Sequence, residues 1–369
     1  MSTKVTLFIG DLSIGGAERV TVNLANQLAE NGYQVEVVVV SRQGELVTDL
    51  VSDVQFTVLP ADRMRWAVIP LIKHLRSSQP DTVISFLTPA NIIMILSVKL
   101  SMISPQIIVT EHGKKLNEDS VSTQRDLILA KYLYKYADGI VGVSKGVSQD
   151  IINWANVDSN KVFTIYNPAI SEELITGDSS IPSQLKPQQN NTKIVLSAGR
   201  HVEQKDFQTL IRSFAKLRAD YSNLQLIILG EGELTAEYKR LSNELGIQEN
   251  MILPGFVDDP FQYMRYADVF ALSSRWEGLS LVLMEAMACG TPVVSTDCPS
   301  GPAEVLKNGE YGELVPVGDS EAMQNALKNT LESPLSAEKL RERARDFSIE
   351  RSTKQYQKLF NNNQSDVHE

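Results

Sequence analysis

The chain has 369 residues, 43% of them apolar and 22% charged, which suits a globular protein of two domains or one large one. A formal net charge of −10 excludes broad nucleic-acid binding. The first half is near neutral: residues 1–168 hold 15 Lys and Arg against 16 Asp and Glu, so the acidity sits in the remainder. Two cysteines, Cys289 and Cys298, offer neither a disulfide framework nor metal-ligand spacing and suit a reducing compartment. The chain enters a strand at once, with no pattern of a signal peptide. Its most apolar stretch, 92–103, is broken by Lys99 and too short to span a bilayer. The expected location is the cytoplasm.

In chain order, apolar and β-branched runs predict strands at 4–9, 35–40, 56–59, 82–86, 107–110, 139–143 and 162–165. Helical periodicity predicts helices at 17–31, 64–77, 91–101, 122–136 and 145–154. The stretch 169–192 is rich in Ser, Pro, Gln and Asn, has no period, and reads as a linker. A second series follows, with strands at 194–198, 224–229, 251–253, 269–272, 292–295 and 312–315. Its helices are at 207–221, 235–245 and 261–267, then after Gly278, from Ser320, from Ala337 and over 351–360. Strands alternating with helices mean α/β: two doubly wound, Rossmann-like domains, 1–168 and 193–350, facing a central cleft. The helix 351–360 is expected to pack back on the first domain, and 361–369 to be a disordered tail.

Open sheets of this kind bind ligands at the carboxyl ends of their strands, and the chemistry-bearing residues cluster there. In the stretch 273–301, Glu277 and Glu285 stand in E-x7-E spacing, Gly290 stops the helix between strands, and Pro292 prevents its resumption. Gly278, Leu279 and Ser280 fall at the helix start, a place for a phosphate. A plain reading of the two acids is a helix cap and a surface group. Glu285, however, sits in L-V-L-M-E-A-M-A-C, apolar on nearly every side, and a buried acid needs a partner such as the hydroxyls of a sugar nucleotide. Gly15 and Gly16, before the first helix, let backbone N–H groups approach an anion or a sugar, or simply make a turn. They are no dinucleotide fingerprint. Arg200 and Lys205, after the strand 194–198, can clamp a diphosphate, or line a solvated basic loop. His112, flanked by Glu111 and Gly113 at a strand end, reads as a substrate contact against the commoner packing role. The segment 63–76 mixes Arg63, Arg65, Lys73 and Arg76 with Trp66 and apolar positions. It is an ordinary packed helix or one that lies on anionic lipid, with Pro70 kinking it or marking its first turn.

The order of these motifs resembles that of the retaining glycosyltransferases with the GT-B fold, in the large family numbered four. The match rests on Gly15-Gly16-Ala17-Glu18-Arg19, on Gly199-Arg200 with Lys205, on Gly230-Glu231-Gly232-Glu233, and on Glu277, Glu285, Gly290 and Pro292. It covers almost the whole chain. The segment 297–304 resembles members that build cell-surface polysaccharides and lipid-linked glycans. The resemblance implies an acceptor-binding first domain and a second that binds a nucleotide-sugar donor, most often UDP-linked. It implies transfer of a hexose or N-acetylhexosamine, with retention, to a glycan or lipid-linked acceptor. Gly15, Arg63, Arg65, Trp66, Lys73 and Arg76 are expected to form the acceptor or membrane face, with a peripheral contact on anionic membrane through the basic segment. Arg200 and Lys205 should hold the diphosphate, helped by the N–H groups of Leu279 and Ser280. Glu285 should meet the ribose, Glu277 the donor sugar, Glu231 and Val257 the nucleoside, His112 the reacting sugar, and Gly16 the diphosphate or acceptor. No cofactor or metal is implied, and no D-x-D pair occurs. Leu279-Ser280 and Gln204 depart from the commonest family pattern, which bears on the donor sugar. The alternatives are a nucleotide-sugar epimerase of the same fold and a non-catalytic nucleotide-sugar binding subunit.

Overall fold

The computed structural model describes residues 2–41, 44–113, 121–177, 192–221 and 223–362. The chain divides into two units, Met1–Ala169 with Ile349–Glu369, and Ile170–Ser348. The first contains β1 (Lys4–Ile9), α1 (Gly16–Glu30), β2 (Gln34–Val39), β3 (Gln55–Val58), α2 (Val68–Ser78), β4 (Thr82–Phe86), α3 (Thr88–Ser101), β5 (Gln106–Glu111), α4 (Val121–Leu133), β6 (Gly139–Gly142), α5 (Lys145–Ala155) and β7 (Val162–Thr164). Its seven strands run parallel in the order β3-β2-β1-β4-β5-β6-β7. The order reverses between β1 and β4, so the loops after them open a crevice at the carboxyl edge.

The second unit begins with α6 (Glu172–Thr176) and continues with β8 (Lys193–Ala198), α7 (Phe207–Leu217), β9 (Leu224–Leu229), α8 (Thr235–Glu244), β10 (Met251–Gly255), α9 (Pro260–Tyr266), β11 (Val269–Leu272), α10 (Leu281–Ala288), β12 (Val293–Thr296), α11 (Pro302–Val305), β13 (Glu313–Val315), α12 (Ser320–Glu332) and α13 (Ala337–Ala344). Six parallel strands run β10-β9-β8-β11-β12-β13. The buried stripe of α7 (Phe207, Leu210, Ile211, Phe214, Leu217) lies on β-strand residues Val195, Leu226, Ile228 and Val269. Each such side chain contributes roughly 2 kcal/mol of burial.

The last helix, α14 (Ile349–Asn362), belongs to the first unit. Phe360 meets the Tyr33 ring edge-on at 5.8 Å, and Gln106 Nε2 donates to Leu359 O at 2.7 Å beside the sheet.

Several expected boundaries move. The helix expected at 64–77 is a 3-10 turn, Met64–Trp66, followed by α2, in which Pro70 is the third residue. There a missing N–H costs nothing, so Pro70 marks the first turn and does not kink the helix. The helix expected at 207–221 ends at Leu217. The linker expected at 169–192 begins with structure of the second unit: Ile170 bridges Ser348, and Ser171 Oγ accepts from Leu174 N to cap α6. Residues 178–191 of that stretch lie outside the described residues, as do 363–369 of the expected tail, while α14 runs two residues into the tail.

Replacing Phe360 by Ala is expected to cost about 3 kcal/mol, because a large buried ring is deleted. Amide exchange should accelerate in β1, β4 and β5 and not in β8, β9 and β11.

Candidate active site

Parallel strands deliver every following loop to the same edge of the sheet. In the second unit β8 and β11 are neighbours, so the loops after them meet. Lys205 Nζ donates to Glu277 Oε1 at 2.6 Å, with the two side chains 16% and 8% exposed. Ser274 Oγ donates to the same oxygen at 2.7 Å. Two further hydroxyls brace the backbone: Ser273 Oγ donates to Lys205 O at 2.7 Å, and Thr296 Oγ1 to Ser274 O at 2.6 Å. Gln204 Nε2 donates to Trp276 O at 2.9 Å, and Arg275 N to Gln204 O at 2.8 Å. A carboxylate this deeply buried needs a cation, and Lys205 supplies it. The ammonium still has two further N–H groups to offer an anion. Arg200 stands exposed on the same loop, with no ion pair among the described residues.

The loop Gly278–Ser280 leads into α10. Ser280 occupies the cap position without capping, and its hydroxyl is buried without a partner among the described residues. The loop before α11 lies over it. Gly301 has φ +93°, and a β-carbon there would stand 3.2 Å from Leu279 Cα and 3.5 Å from Ser280 N. The Ser300 hydroxyl is likewise buried and unpartnered. Two buried hydroxyls without a partner among the described residues thus lie in the two stacked loops at the positive end of α10, an end that favours an anion.

Glu285, on the second turn of α10, is half-buried, less sequestered than its apolar context suggested, and has an interaction within the protein. Glu231 is exposed in the loop after β9, and Val257 half-buried in the loop after β10. Those loops stand on the side of β8 away from β11. Gly230, at φ +106°, lets the loop after β9 press on the loop after β8: a β-carbon there would come 2.2 Å from Gly199 O. Its N–H donates to Gly255 O at 2.8 Å.

In the first unit, β5 ends on Glu111 and the loop after it begins with His112. Glu111 is fully buried and accepts from Thr88 Oγ1 at 3.0 Å, from Asn91 Nδ2 at 3.2 Å, and from the Tyr134 hydroxyl. Burial, then the charge of Glu111, raises the Tyr134 hydroxyl well above its ordinary range. His112 is half-buried, its Nε2 3.2 Å from Thr110 Oγ1. That hydroxyl donates to Ser85 O at 3.0 Å. Leu87, beside it at the end of β4, holds φ +74°, a strained conformation for a branched residue. Gly15 caps α1, but Glu18 folds its carboxylate over it, to where a β-carbon of residue 15 would stand. That carboxylate sits at the positive end of α1. Gly16, the first residue of α1, is exposed.

The basic segment is divided by its own contacts. Ala67, Leu71 and Leu75 pack inward, while Arg63, Arg65, Trp66 and Lys73 stand exposed. Arg65 lies over the Trp66 ring at 5.3 Å. Arg76 donates to Ser101 O at 2.8 Å and Leu100 O at 3.3 Å, closing the end of α3.

Two Rossmann-like units of parallel sheet, each with its polar and strained residues on loops at the carboxyl edge, make the GT-B architecture. A model described as Glycosyltransferase Family 4 matches residues 14–172, and one described as Glycosyl transferases group 1 matches 182–347. The N-acetylgalactosamine-N,N'-diacetylbacillosaminyl-diphospho-undecaprenol 4-alpha-N-acetylgalactosaminyltransferase of Campylobacter jejuni is 30% identical over 342 residues, 89% of this chain and 90% of its own. A lipopolysaccharide core biosynthesis glycosyltransferase of Rhizobium meliloti is 28% identical over 94% of this chain and 95% of its own. Among solved structures, Anabaena HepE in complex with UDP superposes with a TM-score of 0.81 at 20% identity, over 98% of this chain and all of that one. The chain belongs to glycosyltransferase family 4 and is an enzyme.

Sequence reasoning passed over Ser274, Ser300, Gly301 and His201. Ser274 stood three residues before Glu277, the spacing of a turn that returns a hydroxyl to a carboxylate. Ser300 and Gly301 lie within the segment 297–304, and no period marks a loop whose place comes from lying over another loop.

Burial, then the nearby Glu277 charge, pushes Cys298 up to about 12, and burial does the same to Cys289. Neither thiol should react with iodoacetamide at pH 8 in the folded protein, and both should react in denaturant, as read by mass spectrometry. Lys205→Ala should cost about 3 kcal/mol in urea unfolding, because Glu277 is left buried with Ser274 alone. The double variant Lys205→Met/Glu277→Leu should recover most of that loss.

Proposed function

We propose that the enzyme transfers a hexose or N-acetylhexosamine, with retention, from a UDP-linked donor to a lipid-linked glycan acceptor at the inner face of the cell membrane. The observation that carries the reading is the second unit's strand-end cluster: Lys205 held on Glu277, exposed Arg200 on the same loop, and free hydroxyls at the start of α10. This is a concentration of donors suited to a diphosphate. The C1–O bond of the donor breaks, and its electron pair goes to the diphosphate. Lys205, Arg200 and the α10 terminus stabilise that charge as it develops. The acceptor oxygen bonds to C1 on the face the diphosphate leaves, and its proton passes to the departing phosphate oxygen. These cations take the place of a metal in this reading. Glu277 faces the donor sugar, Glu285 the ribose, Glu231 and Val257 the nucleoside, and His112 the reacting sugar. The relatives named above support the acceptor: one works on a diphospho-undecaprenol glycan and one on lipopolysaccharide core. The UDP in the HepE complex supports the nucleotide. Neither alternative, epimerase or binding subunit, has an observation in its favour.

The outer face of the first unit supports a membrane contact. Eight of the twelve large apolar side chains that stand exposed among the described residues lie on α2, α3, α4 and their flanking turns, Met102 at 89% and Trp66 at 63% foremost. Residues 63–78, 88–102 and 121–136 carry eight Lys and Arg and one acid, Asp126, in a chain of net charge −10. Lys99 and Lys135 both lie over the Tyr136 ring, at 4.9 and 5.0 Å. Apolar side chains framed by cations suit an anionic bilayer surface. No helix among the described residues is long and apolar enough to cross a membrane.

Incubation with a panel of nucleotide sugars should release UDP from one donor, and release should survive EDTA; abolition by EDTA with rescue by Mg²⁺ would overturn the metal-free reading. Arg200→Ala is expected to lower kcat/KM by roughly a hundredfold or more, about 3 kcal/mol of transition-state stabilisation. Changing Arg63, Arg65, Lys73, Lys131 and Lys135 to Glu, with Arg76 left to close α3, should release the protein from anionic vesicles and spare donor hydrolysis. Each cation is worth about 1 kcal/mol there, and salt should weaken the binding.

A further inference from the structure

Two loops of the second unit carry the groups assigned to the donor, and one buried side chain joins them. His201 lies between Arg200 and Lys205 in sequence, is fully buried, and has no part in the steps above. Its N–H donates to Glu231 O at 2.9 Å, and its carbonyl accepts from Leu234 N at 3.0 Å. Its ring Nδ1 lies 2.8 Å from Thr235 Oγ1. That hydroxyl has a single proton, which goes to Gly232 O at 2.8 Å, and it also accepts the Gly232 N–H at 3.1 Å. Nε2 is buried with no acceptor among the described residues, so the tautomer that strands no N–H there puts the proton of the His201–Thr235 bond on Nδ1 and leaves Nε2 a bare lone pair.

Nε2 is buried without a partner among the described residues, in a box of edge-on rings: Phe207 at 5.6 Å and Tyr238 at 5.2 Å. A packing residue would need only the box. The Nδ1 bond goes further and reaches the turn that shapes the Gly230–Thr235 loop. From His201 the chain proceeds to Lys205 by tight turns, Val202 N to Arg200 O at 2.9 Å and Lys205 N to Val202 O at 3.1 Å, so displacing the imidazole displaces both cations.

We propose that His201 is a positioning residue for the donor: its Nδ1–H staples the Arg200–Lys205 loop to the Gly230–Thr235 loop and so keeps the diphosphate cations in register with the groups that meet the nucleoside. The inference rests on the donor-site reading given above. The imidazole works as the neutral form, because a second proton would place Nε2–H in the aromatic box with nothing to accept it. Burial holds its titration below the ordinary histidine range, against a smaller opposite pull from Glu231. The charged groups around it are Glu231 and Glu233 in the second loop, Glu237 on α8, Asp206 at the head of α7, and Arg200, Glu203 and Lys205 on its own loop. The staple is thus intact above the folded-state pKa and is lost as pH falls through it.

Three variants separate the roles. The amide N–H of His201→Asn reaches the position of Nδ1–H, that of His201→Gln reaches the position of Nε2, and His201→Leu only fills the box. Calorimetric titration with UDP should give about tenfold weaker binding for Gln and Leu, the worth of one hydrogen bond, and near wild-type binding for Asn. Donor KM should follow the same order, with kcat changing less. Thr235→Val should reproduce the loss. UDP affinity of the wild type should fall on the acid side, and the Asn variant should lack that limb. In the protein without UDP, the amides of His201, Gly232 and Leu234 should exchange about tenfold faster in the Gln variant than in wild type or Asn. Equal affinity and equal exchange in Gln and wild type would overturn the proposal, and if Leu does not fold the Asn–Gln pair decides. If the wild type binds no nucleoside diphosphate, the donor-site reading fails, while the exchange comparison still tests the staple.

Discussion

A buried carboxylate governs the second unit. Glu277 cannot stay charged in the interior without a cation within hydrogen-bond reach. The Lys205 ammonium that meets it at 2.6 Å comes from the neighbouring strand end. Satisfying one charge fixes two loops, and the loops fix the rest. Ser273 braces the Lys205 backbone, Thr296 braces Ser274, and Ser274 completes the carboxylate, so the ends of β8, β11 and β12 become one hydrogen-bonded edge. Such a pair adds little net stability. What it contributes is a cation oriented before any ligand arrives, which is the condition for stabilising charge as it develops and not after reorganisation.

The other side of the same edge is held by backbone. Gly230 presses against Gly199 O, where no side chain fits, and a ladder of main-chain bonds runs from Gly199 through His201 to Leu234. The cations of the loop after β8 are thus positioned from two directions, by the Lys205–Glu277 pair toward β11 and by main-chain and His201 contacts toward β9. Neither the sheet nor its core, which lies under α7, supplies that precision. They bring the loops to one edge, and short-range polar contacts set the register.

The architecture was largely legible, because parallel strands buried on both faces read as β-branched runs, and Val35–Val40 or Leu224–Leu229 admit little else. What escaped was short or conditional. The helix α6 is five residues long in a polar stretch, although Ser171 followed by two glutamates was a usable start signal. The helix α11 is four residues long, with Pro302 at its first position after the positive-φ Gly301. At the site, Arg200, Lys205 and Glu277 stood out by residue type, and the structure brings Lys205 and Glu277 together. The apolar context overstated the burial of Glu285, since an apolar neighbourhood in sequence does not imply full burial when one side of a helix opens at a sheet edge. His201 was invisible as a positioning group because its meaning lies in Thr235, thirty-four residues away. His112 drew notice for its place beside Glu111, yet sequence could not show that Glu111 is fully buried in a network with Thr88, Asn91 and Tyr134.

Charge is distributed as the two proposed tasks require. The cluster proposed for the donor pairs one of its cations with a carboxylate, so its positive potential stays local in an acidic unit. The helices α2, α3 and α4 do the opposite: they gather cations and exposed apolar side chains over a broad surface of the near-neutral unit, with Asp126 the lone acid among them. A potential of that breadth acts at the range of a Debye length, about 8 Å at physiological salt, and attracts a surface better than it attracts a small ligand. Arg76 shows how the two demands are kept apart: its guanidinium closes the carbonyl end of α3 and so stabilises the face from within, while its neighbours Lys73 and Lys99 remain available to whatever that face meets.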